Sequence, residues 1–482
     1  MTYPSEALLD KLAARLGPKG LTRDPADMAP WLADWRDRYH GAAAAMVSPA
    51  NAEETAAVVA LCAQAGVPLV PQGGNTGMVG GATPDSSGAA ILLSTRRMNR
   101  IRKMDAAGGI AVCEAGVILT NLHEAALTVG RRFPLSLGAK GSATIGGLVS
   151  TNAGGTQVLR FGTMRSLVLG IEAVLPDGSL FDGLAVLKKD NRGYDLRQLL
   201  IGAEGTLGIV TAASLKLVPA VGERTVAWAG VESPQAAQAL LRHLESTLGD
   251  AIESFEIVPA HVLALVLANI PGTRPPLEAP APWNVLVEAV SAMSAPSQER
   301  LLYEGLRSAL ETGLVGDAVI AANEAQAEGF WRLRDSIAEA EKKDGPSAKH
   351  DISVPVEAMG DFLIDGGAEI EARFPGTQVT GFGHLGDGNI HFNVRAPAGA
   401  GEDWLDTEGG AVTAFVHDLV TAAGGSISAE HGIGQAKIGE LARLSDPARL
   451  NAMRAIKHGL DPGNIMNPGK LVPPPGLVSQ GS

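Results

Sequence analysis

Two glycine-spaced stretches constrain this chain more than any other feature of it. The first, Pro71-Gln-Gly-Gly-Asn-Thr-Gly-Met-Val-Gly-Gly81, follows Val67-Pro-Leu-Val-Pro71, a short apolar run that reads as a buried strand. The second, Pro134-Leu-Ser-Leu-Gly-Ala-Lys-Gly-Ser-Ala-Thr-Ile-Gly-Gly-Leu-Val-Ser-Thr-Asn-Ala-Gly-Gly155, is long and short of charge. Glycines admit positive φ and leave backbone N–H groups bare, so a run of them can converge on a pyrophosphate. The first stretch alone also fits an ordinary glycine-rich connection. It carries neither the Gly-Lys-Ser/Thr end of a Walker A loop nor G-x-G-x-x-G spacing. Two extended cradles in one domain imply an extended ligand with a diphosphate and a ring system. A third cluster, Gly202-Ala-Glu-Gly-Thr-Leu-Gly-Ile-Val-Thr211, ends that domain.

Composition narrows the partners. The net charge of −13 disfavours phosphate backbones and anionic lipid, and aromatics at 4% disfavour a base-stacking surface, so no nucleic acid is expected. No run of about 18 apolar residues is present, so no membrane span is expected. Cys62 and Cys113 are the two cysteines, too few for a disulfide framework or a cysteine-ligated metal, and both read as small core residues. The first residues, Met1 to Gly17, read as a capped amphipathic helix without a signal-peptide core, which gives a cytoplasmic expectation.

Through residue 220 the apolar runs are short and turn-bounded, an α+β pattern rich in hairpins. Beyond Pro219 strands (Thr225 to Gly230, Asn284 to Val290) alternate with helices (Pro234 to Thr247, Ser297 to Thr312), and a Pro-rich loop covers 271–283. Three segments are therefore expected: 1–220, 221–435 as a second, α+β domain, and 436–482. The tail around Asp461-Pro-Gly-Asn-Ile-Met-Asn467 has turn chemistry and no core of its own, and should dock back on the first domain.

A second constellation lies in Gly383-His-Leu-Gly-Asp-Gly-Asn-Ile-His-Phe-Asn-Val394. The run from Thr377 to His384 reads as a strand, Gly386-Asp-Gly-Asn as a turn, and Ile390 to Val394 as the return strand. Ile390, Phe392 and Val394 then face one side, His391 and Asn393 the other. His384 and His391 flank the turn, and Glu430, at the end of a short strand in Ile427-Ser-Ala-Glu-His-Gly-Ile-Gly434, is the candidate carboxylate. Two imidazoles and a carboxylate suit Zn, Mn or a similar divalent ion. Histidines bonded to backbone carbonyls beside an exposed Glu-His pair fit the spacing equally well. Phe330 to Ala340 reads as one helix, which would put Ala338 one turn from Arg334.

With these segments together, the chain from about 20 to 475 resembles FAD-binding oxidoreductases of the vanillyl-alcohol-oxidase type, and within them the D-2-hydroxyglutarate and D-lactate dehydrogenase branch. The resemblance implies an α+β fold: a two-part FAD-binding domain, an α+β cap for substrate and metal, and a C-terminal segment returning to the FAD domain. Gly73, Gly74, Asn75, Thr76, Gly77, Gly138, Ser142, Gly146, Asn152, Glu204 and Ile209 match FAD-binding positions of that family. Their neighbours Pro71, Met78, Pro134, Leu137, Gly141, Gly155 and Gly208, and Asn467 of the tail, are assigned to the same cofactor. Some members carry a histidine for covalent attachment where this chain has Asn75, so the resemblance implies a non-covalent flavin. It also implies metal binding by His384, His391 and Glu430, and His431 as general base. Substrate binding falls to Arg334 and Lys349, with Asn393 and His384. Relatives acting on 2-hydroxyglutarate carry threonine where this chain has Ala338, which sets the chain apart from them on the substrate side.

The reaction implied is oxidation of a D-2-hydroxy acid (D-2-hydroxyglutarate, D-lactate or a similar acid) to the 2-oxo acid. Hydride would pass to flavin, and electrons to an unidentified acceptor, with a homodimer as the candidate assembly. The alternatives weighed are a flavin subunit of a multi-component glycolate-type oxidase, a metal-dependent hydrolase and a non-catalytic nucleotide-binding protein.

Overall fold

The computed structural model describes residues 2–187, 189–291, 298–401 and 403–476, and the expected start of a helix at Ser297 lies outside them. Two compact units emerge: Met1–Gly155 with Gly162–Ala220 and Glu430–Ser482, and Thr156–Phe161 with Val221–Ala429. The chain thus passes between units after Ala429, ahead of the boundary drawn at 435, and the short segment Thr156–Phe161 goes with the second unit.

In the first unit Ser5 caps helix Glu6–Leu16, whose Leu8, Leu9, Leu12 and Leu16 are buried. Asn51 caps helix Ala52–Ala65 through the Glu54 amide, and Val58, Val59 and Cys62 face the core. A four-stranded sheet runs Leu21–Thr22, Ala45–Val47, Ile91–Ser94, Leu69–Gln72. Its last three strands pair in parallel. The first glycine loop therefore leaves the carboxyl end of Leu69–Gln72, a usual place for ligands in parallel sheets. A five-stranded antiparallel sheet follows, in the order Ile101–Asp105, Ile110–Glu114, Ile209–Lys216, Val168–Val174, Leu180–Gly183. The tail belongs to this unit, as its turn chemistry suggested: the Leu69 amide donates to Ile465 O, and the Asn467 amide to Leu69 O, both at 2.8 Å. Burial pushes the thiols of Cys62 and Cys113 up to about 12, in keeping with core residues.

The second unit is one antiparallel sheet of seven strands: Asp317–Ile320, Glu223–Val231, Trp283–Ser291, Ile252–Pro259, Gln378–His384, Asn389–Arg395, Ser347–Ser353. Strands Glu223–Val231 and Trp283–Ser291 read as near-continuous apolar runs because helices cover both faces of the sheet there. Ala227, Ala229, Phe255, Ile257 and Val287 pack on one side with Leu240 and Leu244 of helix Pro234–Leu248. Trp228, Val258, Leu286 and Phe382 pack on the other with Val262 of helix Ala260–Asn269 and Phe330 of helix Glu324–Asp335.

Two local expectations fail. The helix over 330–340 breaks at Ser336, giving Glu324–Asp335 and Ile337–Asp344. Arg334 is buried, whereas Ala338 lies beyond the break and is exposed, so the one-turn argument that placed them together does not hold. Residues 427–430 lie outside any strand: Ser426 makes an isolated bridge to Ser353, and that pairing does not continue.

Candidate active site

Both glycine stretches line one cavity of about 660 Å³ in the first unit. They pack backbone to backbone, which explains their composition. A Cβ on Gly74 would sit 1.9 Å from Ser142 O, one on Gly73 2.2 Å from Thr144 Oγ1, and one on Gly146 2.6 Å from the Ala115 side chain. Gly77, Gly138 and Gly141 border the cavity with open space where a Cβ would be, and present bare backbone to it. The buried Thr144 hydroxyl also lines the cavity and has no hydrogen-bond partner among the described residues. Such a volume is ordinary for a cofactor site, and backbone amides with an unsatisfied hydroxyl suit a diphosphate-bearing ligand.

Of the residues assigned to the cofactor, Pro71, Thr76, Met78, Leu137, Gly208 and Ile209 also lie on the wall, whereas Pro134, Asn152, Gly155 and Asn467 are not among the residues that line it. Asn152 ends helix Ile145–Thr151 at φ 49° and accepts from Thr163 Oγ1 and the Arg165 amide. Asn467 donates to Gly81 O and Glu204 O at 2.9 and 2.7 Å, tying the tail to two of the glycine segments. Asn75, at φ 52°, donates to Ala33 O at 2.8 Å and so anchors the loop that carries Trp35, a cavity-lining residue the sequence did not single out. Glu204 lies at the wall, but its carboxylate accepts from the amides of Ile433 and Gly434 at 2.7 and 2.8 Å. Burial raises its affinity for a proton, and those amides pull it back. Its role is to hold the turn after Glu430 and His431, and both of those residues line the same cavity.

In the second unit the hairpin forms as expected, from strands Gln378–His384 and Asn389–Arg395. A ring nitrogen of His384 and one of His391 lie within 4.8 Å of each other, with ring centroids 5.7 Å apart. Register explains the neighbourhood: His391 pairs with Phe382 on one side and Asp351 on the other, and His384 pairs with Glu256. Paired residues share a face, so Asp351, His391, Phe382, His384 and Glu256 form a row across one side of the sheet.

Two carboxylates missed by sequence reading hold the predicted substrate residues. Glu256, fully buried, accepts from His384 Nδ1 at 2.5 Å and Arg334 Nε at 2.7 Å. Burial opposes its ionisation, but His384 and the Arg334 guanidinium, which both donate to it, outweigh that and hold it well below the usual carboxylate range. Glu341 accepts from Asn393 Nδ2 at 2.8 Å and from Thr380 Oγ1 at 2.6 Å, with Lys349 Nζ at 3.6 Å. The signal for Glu256 was visible as a charge inside Ile252-Glu-Ser-Phe-Glu-Ile-Val-Pro259. Its partners were not, because they lie on distant strands and helices. Ala429, the residue before Glu430, is tethered by its amide to Asp351 O at 3.3 Å.

Comparison with known proteins decides the family. Residues 222–471 match the C-terminal domain of FAD linked oxidases, and residues 43–183 match an FAD binding domain. The D-2-hydroxyglutarate dehydrogenase of Arabidopsis thaliana mitochondria is 38% identical over 95% of this chain and 80% of its own length. The chain belongs to the FAD-linked oxidases. The D-2-hydroxyglutarate dehydrogenase of Xanthomonas citri pv. viticola is 36% identical over 94% of both chains, which places this FAD-linked oxidase in the branch read from its sequence. It is an FAD-dependent oxidoreductase, and the hydrolase and non-catalytic alternatives fall. Among solved structures, p-cresol methylhydroxylase with substrate bound aligns with TM-score 0.73 and 16% identity over 98% of this chain and 99% of its own. Alkyldihydroxyacetonephosphate synthase aligns with TM-score 0.72 and 17% identity over 98% and 87%. Both share the fold expected, an FAD-binding domain of vanillyl-alcohol-oxidase type with a cap. Among the described residues no helix is long and apolar enough to cross a membrane.

Proposed function

We propose that this FAD-linked oxidase oxidises a D-2-hydroxy acid, of the 2-hydroxyglutarate or lactate class, to the 2-oxo acid with non-covalent FAD and a divalent ion. The observation that carries the reading is the position of His431, an imidazole on the wall of the cavity lined by both glycine loops. The relatives named above support the substrate class. Asn75 offers an amide, not a nucleophile, to the cavity, which supports a dissociable flavin.

Bound FAD supplies the hydride-accepting ring, and a divalent ion supplies Lewis-acid polarisation of the 2-hydroxyl. His384, His391 and Glu430 are the donors assigned to that ion; two imidazoles and a carboxylate are a donor set suited to Zn or Mn. His431 takes the hydroxyl proton, a general-base task that imidazoles commonly perform. Arg334 and Lys349, with Asn393, bind the remainder of the substrate. Because each cation already faces a buried carboxylate, the pair offers direction more than net charge. The test is turnover with an artificial acceptor on paired D- and L-enantiomers of lactate, malate and 2-hydroxyglutarate. Selective turnover of D-acids is expected, and equal turnover of both enantiomers would refute the reading.

A further inference from the structure

Strand Ile252–Pro259 is buried along its whole length. Phe255 and Ile257 feed the core on one face of the sheet and Val258 the core on the other. Between them Glu256 places a carboxylate where an apolar side chain of similar volume would pack without electrostatic cost. Both of its oxygens are engaged, one on His384 Nδ1 at 2.5 Å and one on Arg334 Nε at 2.7 Å. A carboxylate only accepts, so Nδ1 of His384 carries the proton and Nε2 is the nitrogen with the lone pair. The Arg334 guanidinium also lies 5.1 Å from the Phe382 ring centre, and that ring is 5.2 Å from the His391 ring. One side chain therefore sets the tautomer and tilt of a candidate metal ligand and the orientation of a candidate substrate cation.

We propose that Glu256 is a positioning residue that aligns His384 for the metal and Arg334 for the substrate, so that the two halves of substrate recognition are fixed by one carboxylate. The proposal rests on the metal and substrate roles assigned above. An orienting carboxylate behind a metal-bound histidine typically contributes about 10- to 100-fold in metal affinity.

Glu256→Gln tests it. Glutamine presents one acceptor and one donor, so one of the two N–H groups would face another N–H. With the FAD-loaded protein, titration of Mn²⁺ or Zn²⁺ should show affinity reduced about 10- to 100-fold, with the flavin spectrum unchanged. At saturating metal kcat should recover, while KM for a hydroxy diacid stays raised because Arg334 is no longer held. Glu256→Gln with Arg334→Met removes the buried ion pair as a pair and controls for misfolding; its metal affinity should remain weak. A wild-type protein that binds neither ion overturns the metal reading and the proposal with it. A wild type that binds metal while Glu256→Gln binds it equally well overturns the proposal alone.

Discussion

At the scale of single residues, His431 carries the sharpest expectation. His431→Ala should lower kcat by about 10²–10⁴, the usual contribution of a positioned base, while FAD remains bound. A near-normal kcat in the variant would reassign His431 to a structural role. The cysteines make the opposite case. With thiols pushed up to about 12 by burial, Cys62 and Cys113 should stay silent towards a disulfide reagent until the protein is denatured. Rapid labelling of the native protein would show that the core around them opens. The glycines of both loops were legible from sequence as a spaced pattern, but the long-range contacts that exclude a side chain there, such as Ser142 O against Gly74, were not. Glu256 was not, because its importance depends on a register that sets it opposite His384 and brings Arg334 in from a helix. Asn152 and Glu204 were found as important positions, yet each holds backbone in place with its side chain.

At the scale of elements, alternation predicted the 378–395 hairpin and the faces of its strands, since period-2 patterning and a Gly-Asp-Gly-Asn turn specify one register. The helix break at Ser336 was hidden, because nothing in Phe330 to Ala340 is a strong breaker. With Ala338 exposed and beyond that break, Ala338→Thr should leave kcat/KM for lactate and 2-hydroxyglutarate within about a factor of two, well under the tenfold that 1.4 kcal/mol represents. A selective rise on the diacid would show that the residue reaches the substrate after all. The five-stranded sheet has its own clamp: Glu114 is bound by Arg100 at 2.8 Å and Arg102 at 3.2 Å, and Arg102 also reaches Glu172 at 2.9 Å. Burial works against ionisation of Glu114, but the two arginines outweigh it and lower its pKa. A lowered carboxyl contributes stability above its ordinary value near 4.5 and loses it as pH falls below that. Glu114→Gln should therefore cost about 1–3 kcal/mol in urea melts at pH 7, with a difference that shrinks in acid. An effect independent of pH would mean that packing, not charge, dominates there.

At the scale of the molecule, the residues assigned to the flavin come from one compact unit and the two candidate metal histidines from the other. Chelation, or His384→Ala, should accordingly abolish turnover and leave a full complement of FAD, and added Zn²⁺ or Mn²⁺ should restore the chelated protein. Activity that survives complete metal removal would contradict the metal assignment. Acid precipitation should release all the yellow colour, since Asn75 provides no covalent link. The measurement that tests the central claim most directly is flavin absorbance under anaerobic conditions, with no acceptor present. Mixing with a D-2-hydroxy acid should bleach the oxidised band of the wild type, the L-enantiomer should not, and His431→Ala should bleach far more slowly. Failure of every D-2-hydroxy acid to reduce the flavin, in protein that retains both FAD and metal, would contradict the account.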